Sequence, residues 1–78
     1  MRAARLRSSL IERILWDEER AELTITFTSR DRYIYSGVPR AIYEALKTAR
    51  SAGAFFNQCV KGRFPCRPDP TRKKFRPA

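Results

Sequence analysis

The clearest pattern in the chain is a strict alternation of polar and apolar side chains along residues 22–28. Leu23, Ile25 and Phe27 fall on one face of an extended segment, while Glu22 and three threonines fall on the other. A period of two residues is typical of a strand with one buried face. This segment is therefore predicted to be a β-strand whose apolar face contacts a core.

A second strand is predicted immediately afterwards. The polar turn at residues 29–31 leads into residues 32–36, which are rich in β-forming side chains and close enough to pair back as a hairpin. Tyr33 and Tyr35 then share one face of that strand. Gly37 is predicted to end it.

Two short helices are predicted after the hairpin. Pro39 suits the first helical position, where its missing N–H would have no intrahelical partner, and this helix is predicted to end around Arg50. The hydroxyl of Ser51 is predicted to cap a second helix, and Gly62 is a predicted stop. The inward stripes consist of Ile42, Ala45, Leu46 and Ala49 in the first helix and Phe55, Phe56, Cys59 and Val60 in the second.

The segment from Leu6 to Trp16 is ambiguous. Leu6, Leu10 and Ile14 recur at helical spacing, whereas Ile14 and Trp16 fit a strand, and periodicity by itself slightly favours a helix. The pattern as a whole predicts a small α+β domain, in which two or three antiparallel strands are followed by two helices packed on one face.

An ordered set of short motifs resembles the KTSC domain. This module is named for its occurrence at the C-terminus of some lysyl-tRNA synthetases and is also found as a stand-alone bacterial or prophage protein. The motifs are Ser8-Ser9-Leu10-Ile11, Ile14 with Trp16-Asp17, Tyr33-Ile34-Tyr35, Gly37-Val38-Pro39, Tyr43, Ala49-Arg50-Ser51-Ala52-Gly53 and Phe55-Phe56-Asn57. Their ordered combination is more specific than any single motif.

The resemblance covers residues 8–64 and implies that residues 10–16 form a strand. We therefore expect a three-stranded antiparallel sheet followed by two helices packed on one face. A basic arm at 1–7 precedes this KTSC-like domain, and a basic, proline-rich tail at 65–78 follows it and is expected to be disordered. For the family, RNA binding is implied only by its synthetase context.

The excess positive charge lies at the two ends of the chain. The chain has 17 Lys and Arg against 8 Asp and Glu, for a net charge of +9, yet residues 10–60 hold seven of each. Four of the five prolines lie in 65–78, where they oppose regular structure. Such a tail attracts polyanions, of which nucleic acid is the obvious one. A solubilising extension without a specific partner is the alternative.

Several classes of protein are disfavoured by the same sequence. The longest uninterrupted apolar stretch is three residues, far short of the roughly 20 that a membrane span requires. No apolar run of a secretory signal follows the basic start. We therefore expect a cytoplasmic protein with no membrane partner. A chain of 78 residues has room for one thin core and shallow clefts, which disfavours a deep enzyme pocket.

Side chains suited to catalysis or metal binding are sparse. The chain has no histidine, no glycine-rich phosphate loop and no nucleophile motif, and the acids at 17–19 share one turn. Cys59 lies on an apolar stripe and Cys66 in the tail, and two sulfurs make neither a zinc site nor, at this spacing, a redox motif. We expect no enzyme, no metal and no cofactor.

Aromatic and basic residues are the candidates for nucleic-acid binding. Tyr33 and Tyr35 could stack on bases, although ordinary core packing is the competing interpretation. Asn57 could cap a loop or bind a base edge. The acidic turn at 17–19 would repel phosphate from its end of the domain. The predicted binding residues are Arg32, Tyr33, Tyr35, Arg50, Asn57, Lys61, Arg63, Arg67, Arg72, Lys73 and Lys74.

Two functions follow from this sequence. The first is a small non-catalytic module that binds RNA, either tRNA or single-stranded RNA, through a basic face and the tail. The alternative is a protein-interaction module of phage or mobile-element type, which docks on a host protein complex or oligomerises through an exposed sheet edge. A monomer or weak homo-oligomer is expected.

Overall fold

A computed structural model of the chain describes residues 1–69. These residues form an α+β arrangement in which two helices pack on one sheet, as predicted. No helix within residues 1–69 is both long enough and apolar enough to cross a membrane. In chain order the elements are β1 (Arg2–Arg5), β2 (Ile11–Asp17), β3 (Glu22–Phe27), β4 (Arg32–Ser36), α1 (Arg40–Thr48), α2 (Ala52–Cys59) and β5 (Cys66–Pro68).

The sheet has five antiparallel strands in the order β1-β2-β3-β4-β5, so the predicted three-stranded sheet is wrong. The extra strands come from the N-terminal arm and from the start of the segment predicted to be disordered. β1 pairs with β2, and β5 pairs with β4. Both are short and largely exposed, and they pair with the edges of strands that lie far from them or beside them in the chain. Neither has an alternating apolar pattern that would predict it. The predicted tail residues 70–78 lie outside the described residues.

The ambiguous segment forms β2, which confirms the strand that the resemblance implied. Ile14 is the register partner of Ile25, and Trp16 that of Leu23. The register shifts between Ile11 and Arg13, which places one extra residue in β2. Ile11 and Ile14 are both fully buried. The bulge therefore lets β2 bury residues three apart, which breaks the strict alternation expected of a strand.

Both helices cover the face of the sheet that carries Ile14 and Ile25, which we call the inner face. Pro39 was predicted to be the first helical residue of α1. It is instead the N-cap, and the helix begins one residue later, at Arg40. The Ser51 hydroxyl accepts a hydrogen bond of 3.3 Å from the backbone N–H of Ala54 and caps α2, as predicted.

Trp16 and Tyr43 join the sheet to the helices. Their rings stack with centroids 6.0 Å apart and an interplanar angle of 17°. The indole N–H of Trp16 donates a hydrogen bond of 2.9 Å to the carbonyl of Val38, just before α1. Tyr43 and Leu46 are almost completely buried. One apolar core thus extends from the sheet into both helices.

The opposite face of the sheet, which we call the outer face, carries no helix. Side chains alternate between faces along a strand, so Thr24, Thr26, Arg32 and Ile34 lie on the outer face and are half-buried. The hairpin turns at the two ends of β3 each place one non-glycine residue in the left-handed region: Ala21 has a φ of 53° and Arg30 a φ of 79°.

Candidate binding cleft

An apolar cleft of about 310 Å³ opens on the inner face beside β4. Its wall and floor come from four parts of the fold: the loop before β2, the hairpin of β3 and β4, the end of α2 with the turn that follows it, and β5. The lining residues are Leu10, Phe27, Tyr33, Tyr35, Phe56, Asn57, Lys61 and Cys66.

Four residues that the sequence singled out lie together in this cleft. Tyr33 and Tyr35 reach it from β4, Asn57 from α2, and Lys61 from the turn after α2. The two-residue period of β4 places both phenols on the inner face, as predicted. The Ser51 cap fixes the start of α2, the helix that carries Asn57.

A set of edge-to-face ring contacts forms the floor of the cleft. The ring of Phe56 lies 5.4 Å from that of Phe27 and 5.7 Å from that of Tyr35, at interplanar angles of 75° and 82°. Phe27 also meets Tyr33 at 6.2 Å. Tyr35 is only 6% exposed and belongs to the core, whereas Tyr33 is half-buried. The two tyrosines therefore differ, and Tyr33 is the more accessible ring.

Burial shapes the acid–base chemistry of the cleft. Burial raises the pKa of Tyr35 to about 12, and a hydrogen bond with the side chain of Cys66 acts in the same direction. Cys66 is the register partner of Tyr35 across the β4–β5 pair. Both cysteines are free, and that of β5 is exposed. The phenol of Tyr35 thus remains a neutral hydrogen-bonding group over a wide pH range.

Sequence reasoning missed half of the cleft. Leu10, Phe27 and Phe56 were interpreted as packing residues or left without a role, because an apolar side chain gives no sign of whether it lines a core or a groove. Cys66 was assigned to the tail, and only the pairing of β5 with β4 brings it to the site.

The predicted basic residues do not gather around the cleft. Arg32 lies on the outer face, with its guanidinium 3.6 Å from the carboxylate of Asp69. The guanidinium of Arg67 donates hydrogen bonds of 3.0 Å to the carboxylate of Glu22 and 3.2 Å to the hydroxyl of Ser36.

Arg50 and Arg63 are exposed, and neither lines the cleft. Lys61 lines the cleft, whereas three other predicted cationic binding residues do not, namely Arg32, Arg50 and Arg63. Arg72, Lys73 and Lys74 lie outside the described residues.

The chemistry of the cleft suits a flat, partly polar ligand. Its lining includes aromatic rings, the carboxamide of Asn57, the ammonium group of Lys61 and the phenols of the half-buried Tyr33 and the almost fully buried Tyr35. An amide both donates and accepts hydrogen bonds, and an ammonium donates to anions. Within residues 1–69, no group of three His, Cys, Asp or Glu side chains is placed to hold a metal ion.

The fold defines a small α+β module, with a five-stranded antiparallel sheet and two helices on one of its faces. Residues 7–64 match the family model described as the KTSC domain, and the chain belongs to this family. The crystal structure of a KTSC domain protein from Yersinia pestis superposes with a TM-score of 0.83 at 34% sequence identity. The match covers 87% of this chain and 96% of that one.

Two curated relatives differ greatly in length. The chain is 38% identical over 56 residues to a lysine–tRNA ligase of Nostoc punctiforme. The matched region covers 72% of this chain but only 10% of the ligase. The chain is 36% identical over 61 residues to an uncharacterized protein of Stutzerimonas stutzeri, covering 78% of the chain and 86% of that protein. Related segments therefore occur both within a much longer enzyme and as most of a short protein.

Proposed function

We propose that this chain is a non-catalytic RNA-binding module whose cleft receives one base of a single-stranded or looped RNA. The observation that carries the proposal is the convergence of Tyr33, Tyr35, Asn57 and Lys61 on one cleft. These residues come from separate parts of the chain, and their side chains are of the aromatic, amide and cationic types that bind nucleic acid.

The cleft has the groups that recognition of a base requires. The accessible ring of Tyr33 offers a stacking surface, and base–aromatic stacking contributes about 1–3 kcal/mol per base. The amide of Asn57 matches the mixed donors and acceptors of a base edge. The volume of about 310 Å³ lies at the lower end of the range for small-ligand sites. A single base is therefore the appropriate size of ligand.

The charge of the chain supports a polyanionic partner. Residues 1–69 contain 13 basic and 8 acidic side chains, a net charge of +5, and the remaining four basic residues lie in 70–78. Contacts between cations and phosphates release counterions, which makes binding sensitive to salt. In the proposal, Lys61 holds the backbone beside the bound base, and Arg72, Lys73 and Lys74 add affinity that does not depend on sequence.

The family context gives the proposal one further support. A related segment occurs in a protein named as a lysine–tRNA ligase, and that name places tRNA among its substrates. This chain spans only a tenth of that ligase, so the proposal takes from it the RNA partner and not the ligase activity.

Substitutions on α2 test the cleft with matched controls. The experiment is an amide-shift NMR titration of the full chain with a tRNA and with a short single-stranded RNA, at low and near-physiological salt. We expect Asn57→Ala to weaken binding by about three- to tenfold, because a hydrogen bond is lost. Gln58→Ala changes the neighbouring exposed amide, which does not line the cleft, and should leave affinity unchanged.

A second pair of variants separates the cleft from general charge. Lys61→Gln removes the cation of the cleft, whereas Lys47→Gln removes one from α1 that lies 3.4 Å from Glu44. A larger loss for Lys61→Gln supports the proposal, and equal losses contradict it. Shifts confined to residues 70–78 that vanish at higher salt would also contradict it. If no RNA binds, a host or phage protein partner becomes the function to test.

A further inference from the structure

Arginines form a row across the outer face at the end of the sheet that carries the β3–β4 turn. The register pairs Arg5 with Arg13, Arg13 with Thr26, and Thr26 with Arg32. Arg30 extends from the turn beside this row. We call Arg13, Arg30 and Arg32 the arginine cluster.

The arginine cluster surrounds a polar hollow of about 200 Å³. Its lining consists of Glu12, Arg13, Thr26, Arg30 and Arg32. Two carboxylates lie nearby and are already engaged, since Glu12 is 3.7 Å from the guanidinium of Arg5 and Asp69 is 3.6 Å from that of Arg32. Three guanidinium groups and one hydroxyl thus face the hollow with a single carboxylate.

This arrangement does not favour the stability of the free domain. Arg13 and Arg32 are both register partners of Thr26, so two like charges lie on one face of the sheet beside the hollow, where they repel each other. Arg30 occupies the left-handed position of a tight hairpin, where glycine is the preferred residue. The hairpin is closed by hydrogen bonds from Arg30 N–H to the Phe27 carbonyl and from Phe27 N–H to the Asp31 carbonyl, both 2.8 Å long. An anion bound between the guanidinium groups would relieve the repulsion and give Arg30 a role.

We infer that the arginine cluster binds phosphodiester groups of the same RNA strand whose base occupies the cleft. This inference rests on the proposed function. Guanidinium groups bind phosphate oxygens in pairs and with defined geometry. Because the arginines form a row across the sheet and not an enclosed cup, they match a chain of phosphates better than a single phosphate ion.

The connectivity of the hairpin places the arginine cluster and the cleft back to back. Thr26 and Arg32 face the hollow, while their chain neighbours Phe27 and Tyr33 face the cleft. A strand of RNA that passes around the end of the hairpin therefore meets both surfaces. This route avoids the acidic turn at 17–19, which lies at the opposite end of β3.

The test measures the salt dependence of RNA binding by full-length variants, using a fluorescently labelled single-stranded RNA and anisotropy. Arg30→Gly removes the side chain and suits the backbone, so it should fold at least as well as the parent chain. We expect it to weaken binding about fivefold at low salt and to reduce the log–log salt slope by about 0.7, the value for one phosphate contact on a single strand. Asn57→Ala should weaken binding without changing the slope.

Two controls make this test specific. Ala21→Gly makes the same backbone change in the other hairpin turn and should leave binding unchanged. Arg20→Gln removes one positive charge at the acidic end of the sheet and should change affinity less than twofold. If Arg30→Gly behaves like Arg20→Gln while Asn57→Ala still weakens binding, the arginine site is refuted and the proposed function stands. If the parent chain binds no RNA, both are refuted.

Discussion

The two faces of the sheet are built from the same strands but follow different rules. On the inner face, Ile14 and Ile25 are completely buried, and their neighbours are the rings of Trp16 and Tyr43. On the outer face, the adjacent residues of those strands are Arg13, which is exposed, and Thr26, which is half-buried, and neither helix of residues 1–69 packs on this face. The inner face is thus constrained by packing, while the outer face is free to carry charge.

This difference separates the source of stability from the source of charge. The volume and shape of inner-face side chains are fixed by their neighbours, because protein interiors are close-packed. At the cleft, the packing of the inner face opens to solvent. The back-to-back placement of the cleft and the arginine cluster lets a thin domain present an aromatic surface and a cationic surface at one edge.

The largest expected contrast between the faces is the loss of stability on truncating neighbouring residues of β3. Ile25→Ala should lower the free energy of unfolding by about 2–5 kcal/mol, because it removes a fully buried side chain and leaves a cavity. Thr26→Ala, on the outer face, should cost less than about 1 kcal/mol. Urea unfolding followed by circular dichroism measures both. Equal losses would contradict the assignment of the faces.

A somewhat smaller effect is expected at the junction of the sheet and α1. Trp16→Phe keeps an aromatic ring but removes the N–H that donates to the Val38 carbonyl. Leaving this buried acceptor without a partner should cost about 1–3 kcal/mol. Leu15→Val changes the outer face of the same strand and should cost less than about 1 kcal/mol. A Trp16→Phe variant as stable as the parent would show that another donor replaces the indole.

A change in stability at high pH is expected from the cleft. The folded pKa of Tyr35 is about 12, above its ordinary value of 10.0. The unfolded chain therefore releases the proton first, so the stability that this group contributes is intact below pH 10 and is lost as the pH rises toward 12. Urea midpoints across this range should fall in the parent chain and in Tyr33→Phe. The urea midpoint of Tyr35→Phe should fall less over the same pH range. An identical decline would contradict the assignment of this pH dependence to Tyr35.

The smallest expected effects are gains at the two hairpin turns. Arg30→Gly and Ala21→Gly should each raise the free energy of unfolding by up to about 1 kcal/mol, because glycine adopts a positive φ without steric penalty. The gain should be larger for Arg30→Gly if the row of arginines repels itself. Thermal unfolding at low and high salt measures this difference, which should shrink as salt screens the charges. A loss of stability in Arg30→Gly would show that the arginine supports the turn.

The elements that could be predicted from the sequence are those whose structure is specified by residues close together in the chain. The alternation along β3, the aromatic residues of β4 and the Ser51 cap each specify a structure without reference to distant residues. β1 and β5 could not be found in this way, since their pairing depends on exposed edges supplied by other strands. The bulge between Ile11 and Arg13 interrupts the two-residue alternation of β2, so periodicity alone did not identify this segment as a strand.

The candidate site also contains residues that local sequence patterns reveal and residues that only the strand register brings together. The polar residues Asn57 and Lys61 were identifiable because polar groups beside apolar stripes are conspicuous in a sequence. The arginine row was not, because Arg5, Arg13 and Arg32 come from three strands and only the register aligns them. Arg32 was among the predicted binding residues, but its place on the outer face and not at the cleft follows only from the register.

The late return of the chain to the sheet has a consequence for how the cleft opens. β5 has only three residues, all exposed, and 29 residues (37–65) separate it from β4. Because this short edge strand is held by few hydrogen bonds, we expect it to detach from β4 at a lower free energy than the core strands unfold. Hydrogen exchange should therefore be faster at β5 than in the core strands β2 and β3. Detachment of β5 would open the side of the cleft that holds Cys66, while the side formed by β4 and α2 keeps its packing. A ligand could then enter without any rearrangement of the core.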